Sequence, residues 1–233
     1  MNRALRAAAL ASAALLVAAS PRSDAQAPAL SAVTLAGRVS LLMPPKVKVD
    51  PGGVVVWIPG VTIPGRPVTA DSVTSRDKRF DPRIIVVPAG TRVRFPNVDP
   101  IYHNAFSLTP GNAFDMGLYR KGASRDTVLR NPGIVRVYCN IHPDMAASVV
   151  VVDGNAYTIA QADGSFRIDG IPPGRHEVHV WSDLAGETVT VLDFDRGVVA
   201  WNPALDASRY QRTSHLNKHG KPYPKAKNDA DRY

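Results

Sequence analysis

Tyr138-Cys139-Asn140-Ile141-His142-Pro143-Asp144-Met145 places the chain's single cysteine, a histidine and a methionine within one short span. Thiolate and thioether are soft donors, and imidazole suits copper in either oxidation state. A long, weak methionine bond leaves such a metal nearly trigonal, with one thiolate and two imidazoles around it. His103 supplies the second imidazole from another part of the same segment. The set His103, Cys139, His142 and Met145 reads as one type 1 copper ion, whose chemistry is single-electron transfer. Copper would deprotonate the Cys139 thiol outright. A catalytic copper would need an open coordination position. No second Cys or His cluster suggests a multicopper or binuclear centre, so the reading is a non-enzyme. Met116 is flanked by Phe114 and Leu118 at i±2 and reads as packing.

These ligands need a rigid frame that accepts both oxidation states with little reorganisation, and the sequence reads as an all-β chain. It has 20 prolines, 17 glycines and frequent Val/Ile runs, with almost no amphipathic helical periodicity. Arg83-Ile84-Ile85-Val86-Val87 is a predicted strand ended by the Pro88-Ala89-Gly90 turn. Thr91 to Phe95 alternates, with Val93 and Phe95 inward and Arg92 and Arg94 outward. After Pro132-Gly133, Val135, Val137 and Cys139 share one face and Arg136 and Tyr138 the other, which turns the thiol inward. Ala147 to Val152 is a buried strand leading away from the loop. Further strands precede this segment (Gly37 to Leu41, Gly53 to Ile58). Others follow it (Tyr157 to Ile159, then Asp163 to Trp181), with Asp163-Gly164 as a hairpin signal and Ile171-Pro172-Pro173-Gly174 as a turn.

The Cys-x2-His-x2-Met spacing of the loop resembles amicyanin, and "FPNVDPIYHNAFSL" resembles the strand of plastocyanin and amicyanin that carries the first histidine. The segment is thus similar to the cupredoxin family, a Greek-key β-sandwich. The resemblance implies that Asn104 ties the two ligand-bearing segments together, its backbone amide meeting the sulfur, and that Pro143 stiffens the loop. Asn140, Ile141 and Asp144 depart from that pattern, and a carboxylate at Asp144 would favour Cu(II) unless it faces solvent. "DGSFRIDGIPPGRHEVHV" resembles a carboxypeptidase regulatory-like domain, a small transthyretin-like β-sandwich without catalysis. The combination looks like bacterial proteins labelled methylamine utilization protein. The expected organisation is a cupredoxin unit over 70–153 inserted between the two parts, 33–66 and 155–204, of the regulatory-like sandwich. A cupredoxin whose own sheets are extended at both ends is the alternative.

Residues 1–25 read as a signal peptide: a basic start (Arg3, Arg6), an apolar run over Ala7 to Ala19, and small residues before Gln26. No later run reaches the ~20 apolar residues of a spanning helix. An exported, periplasmic protein follows, one whose single cysteine excludes internal disulfides. The net charge of +8 is concentrated in a basic tail, 205–233, where seven Lys/Arg stand against three Asp. Export and this placement exclude nucleic acid as the partner. The tail reads either as a solvated segment or as a docking element for an acidic partner. His215 and His219 are four apart, but Gly220 and Pro222 oppose a helix; a secondary metal site and a solvated or partner-packed tail remain the readings there. His176 and His179 fall on opposite strand faces. The function expected is an electron carrier that docks a c-type cytochrome, dehydrogenase or respiratory complex at the His142 ring edge, beside Ile141 and Pro143. Copper storage, delivery or sensing, or copper as a structural element, are the alternatives.

Overall fold

The computed structural model describes residues 32–43, 53–68, 70–210 and 215–223. The leader expected over 1–25 lies outside these residues. The described residues contain strands, turns and loops but no helix. In chain order the strands are β1 (Val33–Arg38), β2 (Ser40–Leu42), β3 (Val55–Trp57), β4 (Thr74–Arg76), β5 (Arg79–Asp81), β6 (Ile84–Pro88), β7 (Thr91–Pro96), β8 (His103–Ser107) and β9 (Phe114–Tyr119). They continue as β10 (Ser124–Leu129), β11 (Gly133–Tyr138), β12 (Ala146–Val152), β13 (Tyr157–Ile159), β14 (Ser165–Ile171), β15 (Gly174–Ser182), β16 (Gly186–Phe194), β17 (Val198–Ala200) and β18 (Ala204–Asp206).

Among the described residues four main sheets form, ordered β14-β1-β17, β13-β3-β15-β16, β6-β12-β11-β8-β9 and β10-β7. Three cores lie between them. One packs the inner faces of the β6-β12-β11-β8-β9 and β10-β7 sheets, using Ile85, Val87, Val93, Phe95, Val135, Val137, Val149 and Val151. A second fills the space between the β14-β1-β17 and β13-β3-β15-β16 sheets, with Leu35, Val56, Phe166, Ile168, Val178, Val180 and Phe194. The third joins the two middle sheets: Val55, Trp57, Tyr157 and Trp181 on one side meet Ile84, Val86, Val150 and Val152 on the other.

This stacking explains two kinds of apolar pattern. Outer strands alternate, as in β7, where Val93 and Phe95 are buried and Arg92 and Arg94 are exposed. Middle strands are covered on both faces and so read as continuous apolar runs. Val55-Val56-Trp57 in β3 and Val149 to Val152 in β12 are buried throughout, and each such valine contributes roughly 1.5–3 kcal/mol relative to exposure. The rim of the third core is polar. Asp183, after β15, accepts from Ser148 Oγ at 3.0 Å and from Arg83 at 3.2 Å, and pairs with Arg136. Arg136 also lies over the Trp181 ring at 5.3 Å.

Gly154 marks where the chain leaves β12. Its φ is +90°, and a Cβ there would lie 2.2 Å from the Val61 carbonyl oxygen, so both conformation and space demand glycine. The Asp163-Gly164 turn forms as expected, with Gly164 N–H bonded to the Gln161 oxygen at 2.8 Å. It does not close a hairpin, because β13 pairs with β3 and β14 pairs with β1. The turn instead carries the chain across the second core from one sheet to the other.

Candidate metal centre

The ligand loop connects two adjacent antiparallel strands of one sheet. β11 ends at Tyr138, and Cys139 continues its inward phase; Val135, Val137 and Cys139 are all 0% exposed. Two backbone bonds hold the loop: Cys139 N–H to the Met145 oxygen at 3.2 Å and Met145 N–H to the His142 oxygen at 3.1 Å. Met145 is fully buried in the same core as Cys139. His103 opens β8, the next strand over, and is also 0% exposed.

The structure brings His103, Cys139 and His142 together, with one donor atom from each lying within 4.8 Å of the others. The Cys139 Sγ is 3.5 Å from His142 Nδ1 and 4.0 Å from His103 Nδ1. A metal bonded to thiolate at ~2.3 Å and to imidazole at ~2 Å, with angles near 110–120°, sets sulfur–nitrogen separations of about 3.6–3.8 Å. The observed pair brackets that range, so the three donors fit one ion. One thiolate, two imidazoles and a neighbouring thioether match the donor set of a trigonal copper site.

His103 is oriented by a carboxylate that the sequence reading passed over. Its Nε2 lies 2.7 Å from Asp99 Oδ2, both side chains being buried. Donation from Nε2 leaves the Nδ1 lone pair facing Cys139, the tautomer a metal requires. Against its own burial, Asp99 is held below the usual carboxylate range by the Lys78 amide, His103 and the Asp77 amide. Those two amides come from a two-residue turn between β4 and β5, and both residues adopt positive φ, 50° and 54°. Non-glycine residues held there are strained, and such strain gathers at functional sites. The signal in the sequence was a carboxylate four residues before a candidate ligand.

Burial pushes the Cys139 thiol above its usual range, opposed by the backbone N–H groups of Ile141, Asn104 and His142, which favour the thiolate. The amide of Asn104 thus meets the sulfur, and its side-chain oxygen accepts the Asn140 N–H at 3.2 Å. Asp144 is exposed. Met116 packs against the core, and His176 and His179 bond elsewhere, to the Pro172 oxygen and Glu187.

Burial, with smaller effects of His103 and Lys78, lowers His142 from 6.5 to about 4. Its folded value is depressed, so the contribution to stability is complete above pH 6.5 and is lost as pH falls through about 4. Metal-free protein should therefore lose stability over that window through this group, by about 1–2 kcal/mol once solvent screening of a half-exposed ring is allowed for. Urea unfolding at stepped pH measures it, and His142→Ala should flatten the slope. An unchanged slope in that variant would contradict the assignment.

Of the four expected ligands, only His142 is partly exposed. Ile141 beside it is 43% exposed and Tyr102 is 57% exposed; Pro143 is exposed as well. The described part of the basic tail, 215–223, is anchored by His215, Lys218 and Tyr223, while Leu216 and His219 to Pro222 are exposed. It lies against the ligand loop, with the His215 ring stacked on Tyr138 at 4.2 Å.

No family model and no curated protein matches the chain. Solved structures do. A purple cupredoxin from Nitrosopumilus maritimus is 22% identical, covering 34% of this chain and 97% of its own, with a TM-score of 0.32. A reduced mutant of amicyanin is 20% identical over 41% of this chain and 97% of its own, with a TM-score of 0.33. A copper-containing nitrite reductase from Thermus scotoductus is 20% identical over 50% of this chain and 28% of its own, with a TM-score of 0.35. Among the described residues no helix is long and apolar enough to cross a membrane.

Proposed function

We propose that this protein is an exported, non-enzymatic electron carrier with one type 1 copper ion held by His103, Cys139, His142 and Met145. The observation that carries the reading is the buried meeting of Cys139 Sγ with the Nδ1 atoms of both histidines at 3.5 and 4.0 Å. Copper in such a site supplies a single-electron couple. The chain's residues do the rest. Asp99 fixes His103, and the amides of Asn104, Ile141 and His142 hold the sulfur. The two-sided sheet behind β12 resists any change of loop shape. Deep burial of three donors disfavours substrate access and suits outer-sphere exchange. The partly exposed His142 edge, with apolar Ile141 and Pro143 beside it, is the surface on which a c-type cytochrome, dehydrogenase or respiratory complex would make a brief contact.

Residues 70–153 are read as an inserted unit in a regulatory-like host sandwich. In support, the core behind the loop draws its buried residues only from 73–151. The second core draws its own from 33–61 and 156–205.

Copper titration followed by optical and paramagnetic-resonance spectra and a redox titration tests the function. An intense thiolate-to-copper band with a small parallel hyperfine splitting, reversible through one electron, is the expected result. Cu(I)-only binding without that band would assign the site to copper storage or delivery instead. A fully loaded, colourless Cu(II) protein would end the carrier reading.

A further inference from the structure

We propose that residues 215–223 are a clamp completing the metal centre, a C-terminal segment that fixes the backbone on both sides of Cys139. The role as part of a copper site rests on the reading above; the mechanical role stands on contacts with the metal-free loop. Three consecutive residues, Tyr138, Cys139 and Asn140, are each gripped by this segment. His215 stacks on Tyr138 with ring centroids 4.2 Å apart and an interplanar angle of 23°. The Tyr223 hydroxyl donates to the Cys139 carbonyl oxygen at 2.6 Å and meets His215 Nδ1 at 3.2 Å. Lys218 N–H donates to Asn140 Oδ1 at 3.0 Å.

The last contact belongs to a closed ring of hydrogen bonds. Asn140 N–H donates to Asn104 Oδ1 at 3.2 Å, and Asn104 Nδ2 donates to Asp115 Oδ1 at 2.8 Å. Lys218 Nζ then reaches Asp115 Oδ2 at 2.6 Å, and its backbone N–H returns to Asn140. The ring links β8, the ligand loop, the tail and β9. Asn104 and Asn140, the residues after His103 and Cys139, are thus joined directly and a second time through Asp115 and Lys218 of the tail. The tail is braced to do so: Asn217 Oδ1 accepts the His219 and Lys221 amides at 2.9 and 3.1 Å, and Asn217 N–H bonds the Lys221 oxygen at 2.9 Å. Fixing the Cys139 carbonyl fixes the plane of the Cys139–Asn140 peptide, and with it the Asn140 amide, one residue before the Ile141 amide that faces the sulfur. Hydrogen bonds of this outer kind set metal affinity and tune the metal.

The test uses the full chain, a deletion of 215–233, a deletion of 224–233 as control, and the single changes Tyr223→Phe and Lys218→Met. Cys139 is the only thiol, so the rate at which metal-free protein reacts with an aromatic disulfide reports loop opening without any metal. Deleting 215–233 should raise that rate at least about tenfold, given several lost hydrogen bonds. Tyr223→Phe should raise it severalfold, and the 224–233 deletion should leave it unchanged. With Cu(II) added, release to a chelator should be about 10–100-fold faster in the 215–233 deletion, with a shifted thiolate-to-copper band. In Tyr223→Phe the band should shift while metal-free unfolding loses no more stability than the severalfold rise in thiol rate accounts for; the band shift is the readout a merely structural role would not produce. If the larger deletion does not fold, Tyr223→Phe, one oxygen removed, decides the matter. Thiol rates and spectra equal to the parent's would overturn the clamp. A parent without the copper band whose thiol rate still rises on deletion would leave the clamp standing and remove the copper reading.

Discussion

Cys139→Ser protein is expected to fold, yet to lose the intense visible band completely and to bind copper more weakly by well over about 100-fold. Removal of an outer partner already costs 10–100-fold, and here the soft ligand itself is replaced by a hydroxyl that stays protonated at neutral pH. The fold should survive because serine keeps the shape and suits the surroundings. The sulfur position is met by the backbone N–H groups of Ile141, Asn104 and His142, and a hydroxyl oxygen can accept from them. The change in unfolding free energy should accordingly stay within ~1–2 kcal/mol. Cys139→Ala is a less discriminating variant, since it leaves those amides without an acceptor and mixes stability with metal loss. The paired measurements are a copper titration followed optically and a urea unfolding curve of the metal-free protein. A Cys139→Ser protein that kept the band would place the ligand sulfur elsewhere, and a gross loss of stability would make Cys139 a packing residue first.

The ligand loop was readable because its information is local. Spacing within 139–145 gives the donor types, and strand parity over Val135, Val137 and Cys139 gives the direction of the sulfur, which is 0% exposed in the structure. His103 and Asn104 were readable from the resemblance of their strand. The partners that organise these ligands come from other elements of the chain. Asp99 acts on His103 only because the β4–β5 turn supplies two amides to its carboxylate, a relation no spacing rule expresses. The tail was harder still. Its basic composition suggested solvent or a partner, yet Lys218 is committed to Asp115 across 103 positions of sequence, and Tyr223 to Cys139 across 84. Continuous runs such as Val149 to Val152 announce a strand covered on both faces. They do not say what covers the second face, and that is why the third core, with Trp57 and Trp181, was absent from the sequence reading. The Asp163-Gly164 turn carries the same lesson, since turn chemistry fixes a bend and leaves open which sheet each arm joins.

The other large effect is expected from that third core. Val150→Asp should destabilise the protein by at least ~4 kcal/mol, through loss of a fully buried apolar side chain and burial of a carboxylate among apolar and aromatic neighbours that offer no cation. Val150 is 0% exposed and packs among the apolar and aromatic side chains of Val55, Trp57, Tyr157, Ile84, Val86, Val152 and Trp181. The guanidinium groups at the rim, Arg83 and Arg136, already pair with Asp183. The neighbouring residues Val149 and Val151 point into the core behind the ligand loop, so the substitution strikes the seam between the two middle sheets and spares the side chains behind the metal site. If 70–153 is an inserted unit, the two outer cores survive separately once this seam opens. Limited proteolysis of copper-loaded Val150→Asp should then cut near 66–70 and 153–155 and release a fragment that keeps its colour, while the parent resists under the same conditions. A single cooperative loss of colour and of protease resistance in the variant would mean that the strands before and after the ligand segment are extensions of one indivisible sandwich.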